Sequence, residues 1–151
     1  MTGFAPKDPA YADRVRASFA KQAMMTTIGA SLTRVAPSEV DVELAISPGI
    51  CQQHGFVHAG GVATVADTAA GYAALTLVPA GAGILTAEFK INLVSPAAGE
   101  RLIARARVVK AGRVLTVAQA EVHAERSGER KLVALMTVTA TATQGRDGVS
   151  D

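Results

Sequence analysis

Apolar and polar residues alternate over most of the second half of the chain. Four such runs cover residues 85–93, 102–108, 114–124 and 132–142, and glycine-containing turns at 110–113 and 127–128 separate the last three. A two-residue period between short turns predicts strands of an antiparallel sheet with one apolar and one wet face. The apolar positions of the first run are Leu85, Ala87, Phe89, Ile91 and Leu93. Strict alternation therefore places Thr86 on the opposite face.

The N-terminal third predicts a surface helix followed by two more strands. Asp8 and Pro9 are typical of a helix start, as N-cap and first helical residue, and apolar residues at helical spacing continue to about residue 23. Arg14 and the other basic residues of this helix are expected to face solvent. The two strands are predicted over residues 28–35 and 39–47, where the second alternates cleanly between apolar and acidic positions.

Between these parts lies a glycine-punctuated polar loop that leads into a run of small apolar residues, over positions 52–77. Apolar residues occupy most of the circumference of the predicted helix, whereas a surface helix would show one stripe. Residues at three- and four-residue steps leave one narrow polar or small face, made by Gly60, Thr64, Asp67, Thr68 and Gly71. The fold class predicted is α+β, with the antiparallel sheet wrapped around this central helix.

Bulk composition narrows the classes of function. A length of 151 residues fits one domain, 1–151, with loose ends over 1–7 and 144–151. A net charge of +2, no Trp and 4% aromatic residues argue against nucleic acid as a partner. The single Cys51 excludes an internal disulfide, and neither a signal peptide nor a membrane-spanning run of about 20 apolar residues is visible. We expect a cytoplasmic protein that does not bind membranes.

Asp67 is the anomaly of the central helix. A carboxylate in an apolar segment loses hydration, so that its pKa shifts or its charge is used for chemistry. The alternative is a structural carboxylate that binds an interfacial arginine or polar backbone groups. A second alternative reads Cys51, His54 and His58 as zinc ligands, with His123 as a distant fourth. Gly55 interrupts the helical spacing that such ligation would use, so we predict neither a metal nor a cofactor.

Residues 52–72, followed by the stretch from Thr86 to Pro96, resemble the hotdog-fold acyl-CoA thioesterase family, and in particular its phenylacetate-degradation-type (PaaI-like) branch. The resemblance covers roughly residues 25–143. It implies a hotdog fold, in which a six-stranded antiparallel sheet wraps a central helix, and self-association into homodimers or homotetramers. It also implies hydrolysis of a medium-chain or aromatic acyl-CoA, with coenzyme A as part of the substrate.

By position, the resemblance assigns roles to individual residues. Asp67 matches the catalytic general base or nucleophile, and His58 matches the motif histidine. The backbone N–H of Ala59 would polarise the thioester oxygen, Gln52 would orient the reacting groups, and Thr86 would position water or the carboxylate. In the family, the loop residues Gln52, His58 and Ala59 would meet Asp67 and Thr86 of the partner subunit.

The chain departs from the family pattern, because His-Ala-Gly-Gly stands where His-Gly-Gly is usual. The N–H donor could therefore be Ala59 or Gly60, and Gln53 could replace Gln52. A helix N-terminus offers free N–H groups to a developing oxyanion. We predict substrate contacts for Gln53, Gly61, Thr68, Arg101 and Arg105. The two arginines share a strand face, where they could bind coenzyme A phosphates or simply be solvated. A non-catalytic acyl-CoA-binding or regulatory hotdog module is the alternative function.

Overall fold

One long helix and a six-stranded sheet dominate the computed structural model, which describes residues 3–144 and 148–149. The helices are α1 (Tyr11–Ala20), α2 (Ala23–Ile28) and α3 (Ala59–Leu75), and a short 3-10 turn, Pro48–Ile50, precedes α3. The strands are β1 (Ala30–Ala36), β2 (Glu39–Ala45), β3 (Gly83–Leu93), β4 (Arg101–Ala111), β5 (Leu115–Arg126) and β6 (Glu129–Thr143).

The strands lie in the order β1-β2-β4-β5-β6-β3, and every neighbouring pair is antiparallel. The sheet curls around α3, which packs against β2 to β6. The predicted α+β class and the hotdog arrangement are confirmed. Because β1 and β3 each have one neighbour in the sheet, no strand among residues 3–144 and 148–149 pairs with their outer edges.

The apolar faces of the strands form the core on the side of α3. Val40, Val42 and Leu44 are completely buried, as the alternation of β2 predicts, while the acidic residues between them stay half-exposed. Each such side chain contributes about 1.5–3 kcal/mol through the removal of apolar surface from water. The inward positions of β4, β5 and β6 add mostly alanine and valine.

α3 is buried on most sides, as predicted. Ala66, Ala69, Ala70 and Ala73 have no exposed surface, and their short side chains leave room for the sheet to approach the helix closely. Thr64, Asp67 and Gly71 stay partly accessible on the remaining face. The narrow face of polar or small residues that the sequence predicted for this helix is therefore present in the folded chain.

The N-terminal helix starts later and ends earlier than predicted. Asp8 is not the N-cap, because its Oδ1 accepts the N–H of Ala10 at 2.9 Å and forms a local turn before α1 begins at Tyr11. After Ala20 the chain bends into the separate helix α2. An aspartate side chain can accept a nearby backbone N–H either as the N-cap of a helix or within a turn before the helix. The sequence pattern is similar in both cases.

The prediction that Arg14 faces solvent was wrong, because its side chain is largely buried against the end of α3. It forms an ion pair with Asp8 at 3.1 Å. Its guanidinium also donates to four backbone carbonyls at 2.8–3.3 Å, those of Leu75, Val78, Pro79 and Ala82. The last carbonyls of a helix lack partners within that helix, and Arg14 supplies one to Leu75, the last residue of α3, while its other three acceptors lie between α3 and β3.

A β-bulge divides β3. Thr86 pairs with Ala140 and Glu88 pairs with Thr139, so that Ala87 is an extra residue without an opposite partner. Thr86 therefore shares the α3-facing side with Phe89 further along β3, and Leu85 points to the other side. Strict alternation was wrong here, because the bulge shifts the pattern by one residue.

The chain ends lie partly outside the described residues. The predicted loose ends include positions 1–2, 145–147 and 150–151, which are not described, whereas Phe4 packs against the core and the Val149 carbonyl accepts the Thr143 hydroxyl at 3.5 Å. Within residues 3–144 and 148–149, none of the helices combines the length and the apolar character needed to cross a membrane.

Candidate active site

Asp67 lies near the middle of α3 and faces β3. The hydroxyl of Thr86 donates to Asp67 Oδ1 at 2.8 Å, which holds the carboxylate in one orientation. The contact exists because the bulge at Ala87 turns Thr86 toward the helix. The structure thus brings together the two residues that the family resemblance paired.

Two opposing effects act on the pKa of Asp67. Burial, the larger effect, disfavours the charged form and raises the pKa above 3.8, and the hydrogen bond from Thr86 lowers it in part. The net result is a raised pKa. A carboxylate with a raised pKa is a stronger base than an ordinary surface aspartate.

A cavity of about 530 Å³ opens beside Asp67, and we call it the Asp67 cavity. α3 supplies one wall with Thr68 and Gly71, and the first residues of β3 supply a second with Thr86. Another wall comes from the N-terminal helices, with Ser18 of α1 and Gln22 at the start of α2. Thr68 is thereby placed next to Asp67, as predicted.

That N-terminal wall was not foreseen from the sequence. The Tyr72 hydroxyl accepts a hydrogen bond from Gln22 Nε2 at 2.8 Å and lies 3.2 Å from the Ser18 hydroxyl. The Phe19 ring packs on the Tyr72 ring with centroids 5.8 Å apart. A tyrosine inside an otherwise apolar helix was the available signal, because a buried phenol needs a hydrogen-bonding partner.

The loop before α3 forms a second group of predicted residues. An antiparallel bridge joins Cys51 to Val57, and the turn between them needs Gly55, whose φ is +82°. Within the turn, Gln52 Oε1 accepts the N–H of His54. The loop is fixed to the rest of the chain by the Val57 N–H, which donates to the Ala97 carbonyl at 2.9 Å.

His58 is the N-cap of α3. Its Nδ1 accepts the Gly60 N–H at 2.8 Å, and its carbonyl accepts the Gly61 N–H at 2.9 Å. A neutral His58 therefore carries its proton on Nε2. Gly60 already has an acceptor, whereas in residues 3–144 and 148–149 the Ala59 N–H has no hydrogen-bond acceptor.

A second cavity, of about 580 Å³, lies in front of this loop, and we call it the loop cavity. Its lining includes the predicted residues Gln52, Gln53, His58 and Ala59. The end of β3, at Leu93, forms part of its floor. The loop cavity and the Asp67 cavity have no lining residue in common, so one chain presents the predicted site as two separate halves.

The predicted phosphate-binding arginines lie elsewhere. Arg101 pairs with Glu43 at 2.9 Å and also with Glu125, while Arg105 lies 3.7 Å from Asp41. Both belong to β4 on the sheet face away from α3, and Arg105 lines a groove there. The structure does not group them with Asp67 or His58, and a role in phosphate binding stays a prediction.

The metal alternative has no cluster of ligands in the part of the chain that the structure describes. No three His, Cys, Asp or Glu side chains among residues 3–144 and 148–149 gather closely enough to hold an ion. Cys51 Sγ donates to the Ser47 carbonyl at 3.3 Å, and His54 Nε2 lies 3.3 Å from the Gln53 amide nitrogen.

Residues 54–131, more than half of the chain, match the sequence profile of the thioesterase superfamily. The chain belongs to the thioesterase superfamily. The match covers α3 and the strands β3 to β5, and includes Asp67, His58 and Thr86. The resemblance drawn from the sequence is confirmed, and so is the predicted class of enzyme, a thioester hydrolase.

Solved structures support this membership. A thioesterase family protein of Silicibacter pomeroyi is 49% identical, with a TM-score of 0.88, and the match covers 89% of this chain and 99% of that one. The E. coli PaaI protein from the phenylacetic acid degradation operon shares the fold at 22% identity, with a TM-score of 0.80 and coverage of 93% and 95%. A Haemophilus influenzae thioesterase does so at 18%, with a TM-score of 0.78 and coverage of 87% and 90%. No curated protein matches the chain.

Proposed function

We propose that this thioesterase-superfamily protein hydrolyses the thioester of a medium-chain or aromatic acyl-CoA to the free acid and coenzyme A. The observation that carries the proposal is the half-buried Asp67 carboxylate, oriented by Thr86 beside a cavity of about 530 Å³. The direct test is release of free thiol from a panel of acyl-CoAs by the purified protein. Absence of release from all of them would contradict the proposal and favour a non-catalytic acyl-CoA-binding module.

In the proposed reaction Asp67 acts as a general base toward water. The carboxylate removes a proton as the water oxygen attacks the thioester carbonyl carbon, and a tetrahedral oxyanion forms. The oxyanion collapses, the carbon–sulfur bond breaks, and the proton returns from Asp67 to the coenzyme A thiolate. The raised pKa supports this role, because a base is most effective when its pKa lies near the working pH. The reaction consumes water alone, so we propose no cofactor.

The oxyanion would bind at the N-terminus of α3. The Ala59 N–H is the better candidate of the two that the sequence left open, because the Gly60 N–H is used by His58 Nδ1. An oriented donor that is free before substrate arrives needs no reorganisation during the reaction. Gln52 and His58 line the same cavity and would contact the substrate there.

A homodimer would join the two half-sites. The start of β3 lines the Asp67 cavity, and the residues at and after its end line the loop cavity. If β3 pairs with β3 of a second copy about a two-fold axis, the strands run antiparallel, and each end meets the opposite end of the other. Thr86 would then lie near Leu93 of the partner subunit, and Asp67 near Ala59 of the partner subunit.

The surface of β3 supports this pairing. β3 has 11 residues, and most of their side chains are exposed. Because β3 lies at the edge of the sheet, one side of the strand presents a row of backbone groups that the described strands do not pair. Its apolar residues are unusually accessible, with Phe89 at 45% and Leu93 at 52% of full exposure. The other edge strand, β1, is shorter and lacks comparably exposed large apolar residues. Assembly into a homotetramer and a cytoplasmic location stay predictions.

Phe89→Glu is expected to give a monomer with little activity. A carboxylate at this position would lose hydration at the proposed interface, and each chain alone holds only half of the site. Light scattering gives the mass, and thiol release gives the activity. Val109→Glu is the matched control, because Val109 is similarly exposed at 44% but lies on β4. A dimeric, fully active Phe89→Glu variant would contradict the shared site.

Thr86→Val is expected to move the acid limb of the pH profile of kcat/KM to higher pH. The Thr86 hydrogen bond stabilises the charged form, so its loss raises the pKa of Asp67 further. Activity requires the carboxylate and rises with pH through that pKa. Thr139→Val removes a comparable hydroxyl that donates to Glu88, and it should leave the profile in place. A shift toward lower pH would be inconsistent with Asp67 as the base.

A further inference from the structure

Gly71 lies on α3 one helical turn after Asp67, so the two residues share a face of the helix. The surrounding residues of α3 are mostly alanine, which is the best helix former, and glycine is the least favourable residue in a helix interior apart from proline. The presence of glycine at this point therefore needs a physical reason.

The usual reasons for glycine do not apply. Gly71 is not among the glycines with positive φ, so its backbone suits any residue. A Cβ built on Gly71 would meet no atom within 4 Å among residues 3–144 and 148–149. In contrast, a Cβ on Gly60 would lie 3.0 Å from His58 Nδ1, and one on Gly61 would lie 3.2 Å from Val57 Cγ1. Close packing thus explains those two glycines but not Gly71.

The open space beside Gly71 is part of the Asp67 cavity. The N-terminal wall of this cavity is held in place by the hydrogen bond from Gln22 to Tyr72, and next to the cavity Phe19 packs on the Tyr72 ring. A wall fixed in this way cannot move in to fill the gap left by a missing side chain. Four residues of helix separate Gly71 from Asp67 by roughly 6 Å along the axis.

We propose that Gly71 is a specificity-determining residue, whose missing side chain leaves a slot for a bulky acyl group beside the reacting carbonyl. A slot roughly 6 Å from the carboxylate suits a six-membered ring or the far carbons of a six-carbon chain. An acetyl group would not reach it. The inference rests on the proposed thioesterase function and adds that this position sets the upper size of the acyl group.

The test compares wild-type protein, Gly71→Ala and Gly71→Leu with acetyl-, butanoyl-, hexanoyl- and benzoyl-CoA, by thiol release. In Gly71→Leu, kcat/KM for the bulkiest acyl group that the wild-type protein hydrolyses falls at least about 100-fold relative to the smallest, because the leucine occupies the slot. Gly71→Ala raises the melting temperature by about 1–4 °C and leaves the ratio within about tenfold of wild type. Ala17→Leu, at an exposed position of α1 outside the cavity, is the matched control and leaves the ratio unchanged.

Different outcomes separate this inference from the proposed function. If the wild-type protein releases thiol from no acyl-CoA, the proposed function fails. If the wild-type protein is active but prefers acetyl-CoA to every larger substrate, or if Gly71→Leu keeps the wild-type size profile, only the role of Gly71 is overturned. A Gly71→Leu variant that is monomeric by light scattering would place Gly71 at a subunit contact, which also overturns it. Should the leucine variant fail to fold, a lowered melting temperature of Gly71→Ala decides against an open slot.

Discussion

Asp67→Asn is expected to lower kcat for acyl-CoA hydrolysis by about 10²- to 10⁴-fold, the range typical of a lost general base. Asparagine keeps the size of the side chain and can still accept the hydrogen bond from Thr86, but it cannot remove a proton from water. Substrate binding should persist, because the cavity keeps its shape. Steady-state thiol release measures kcat, and equilibrium binding of the acyl-CoA measures the retained affinity.

Asp41→Asn is the matched control for this loss. Burial also raises the pKa of Asp41, against the opposing charges of Arg105 and Arg34, but Asp41 lies on β2 on the sheet face away from α3. Its replacement should leave kcat close to that of the wild-type protein. If both variants lost activity equally, the loss would reflect stability rather than chemistry, and unchanged turnover in Asp67→Asn would remove Asp67 from the reaction.

Ala59→Pro is expected to lower kcat by about 10²- to 10³-fold, the usual effect of removing one oxyanion donor. Proline lacks a backbone N–H, and at the first position of a helix it is well tolerated. Ala59 is the first residue of α3, and the preceding His58 has φ −60° and ψ 141°, which a residue before proline readily adopts. The substitution therefore deletes the donor and leaves the helix intact.

Thermal unfolding and thiol release together decide this second prediction. The melting temperature of Ala59→Pro should stay near that of the wild-type protein. Ala59→Gly, which keeps the N–H, is the matched comparison and must retain more activity than the proline variant. Full activity in the proline variant would shift the oxyanion site away from Ala59.

Patterns with many repeats predicted the fold well. Burial selects apolar residues at every inward position of an element. It therefore produces the alternation of β2, β4, β5 and β6 and the apolar surface around α3, and one exceptional residue does not hide such a pattern. Asp67 could be recognised for the same reason, as a charged residue against an apolar background. The position of Thr86 could not, because one extra residue at Ala87 changes which side chains face the helix, and a bulge has no strong sequence signature.

Contacts between segments that are distant along the chain could not be predicted from the sequence. Arg14 binds carbonyls 61 to 68 residues away, and no local pattern marks an arginine that will be buried in this way. Our proposal of Ala59 rather than Gly60 as the oxyanion donor depends on the direction of one imidazole nitrogen. The family resemblance supplied the residues of the two proposed half-sites, but their separation within one chain became visible only from the structure, in which the two ends of β3 line different cavities.

Arg14 also gives the central helix an electrical asymmetry. The aligned peptide dipoles of a helix amount to about half a positive charge at its first turn and half a negative charge at its last. The Arg14 guanidinium offsets the negative pole of α3, whereas the first turn carries no acidic residue to offset the positive pole. The negative charge that we propose to develop near Ala59 would therefore meet a positive pole that no acidic side chain in the first turn offsets.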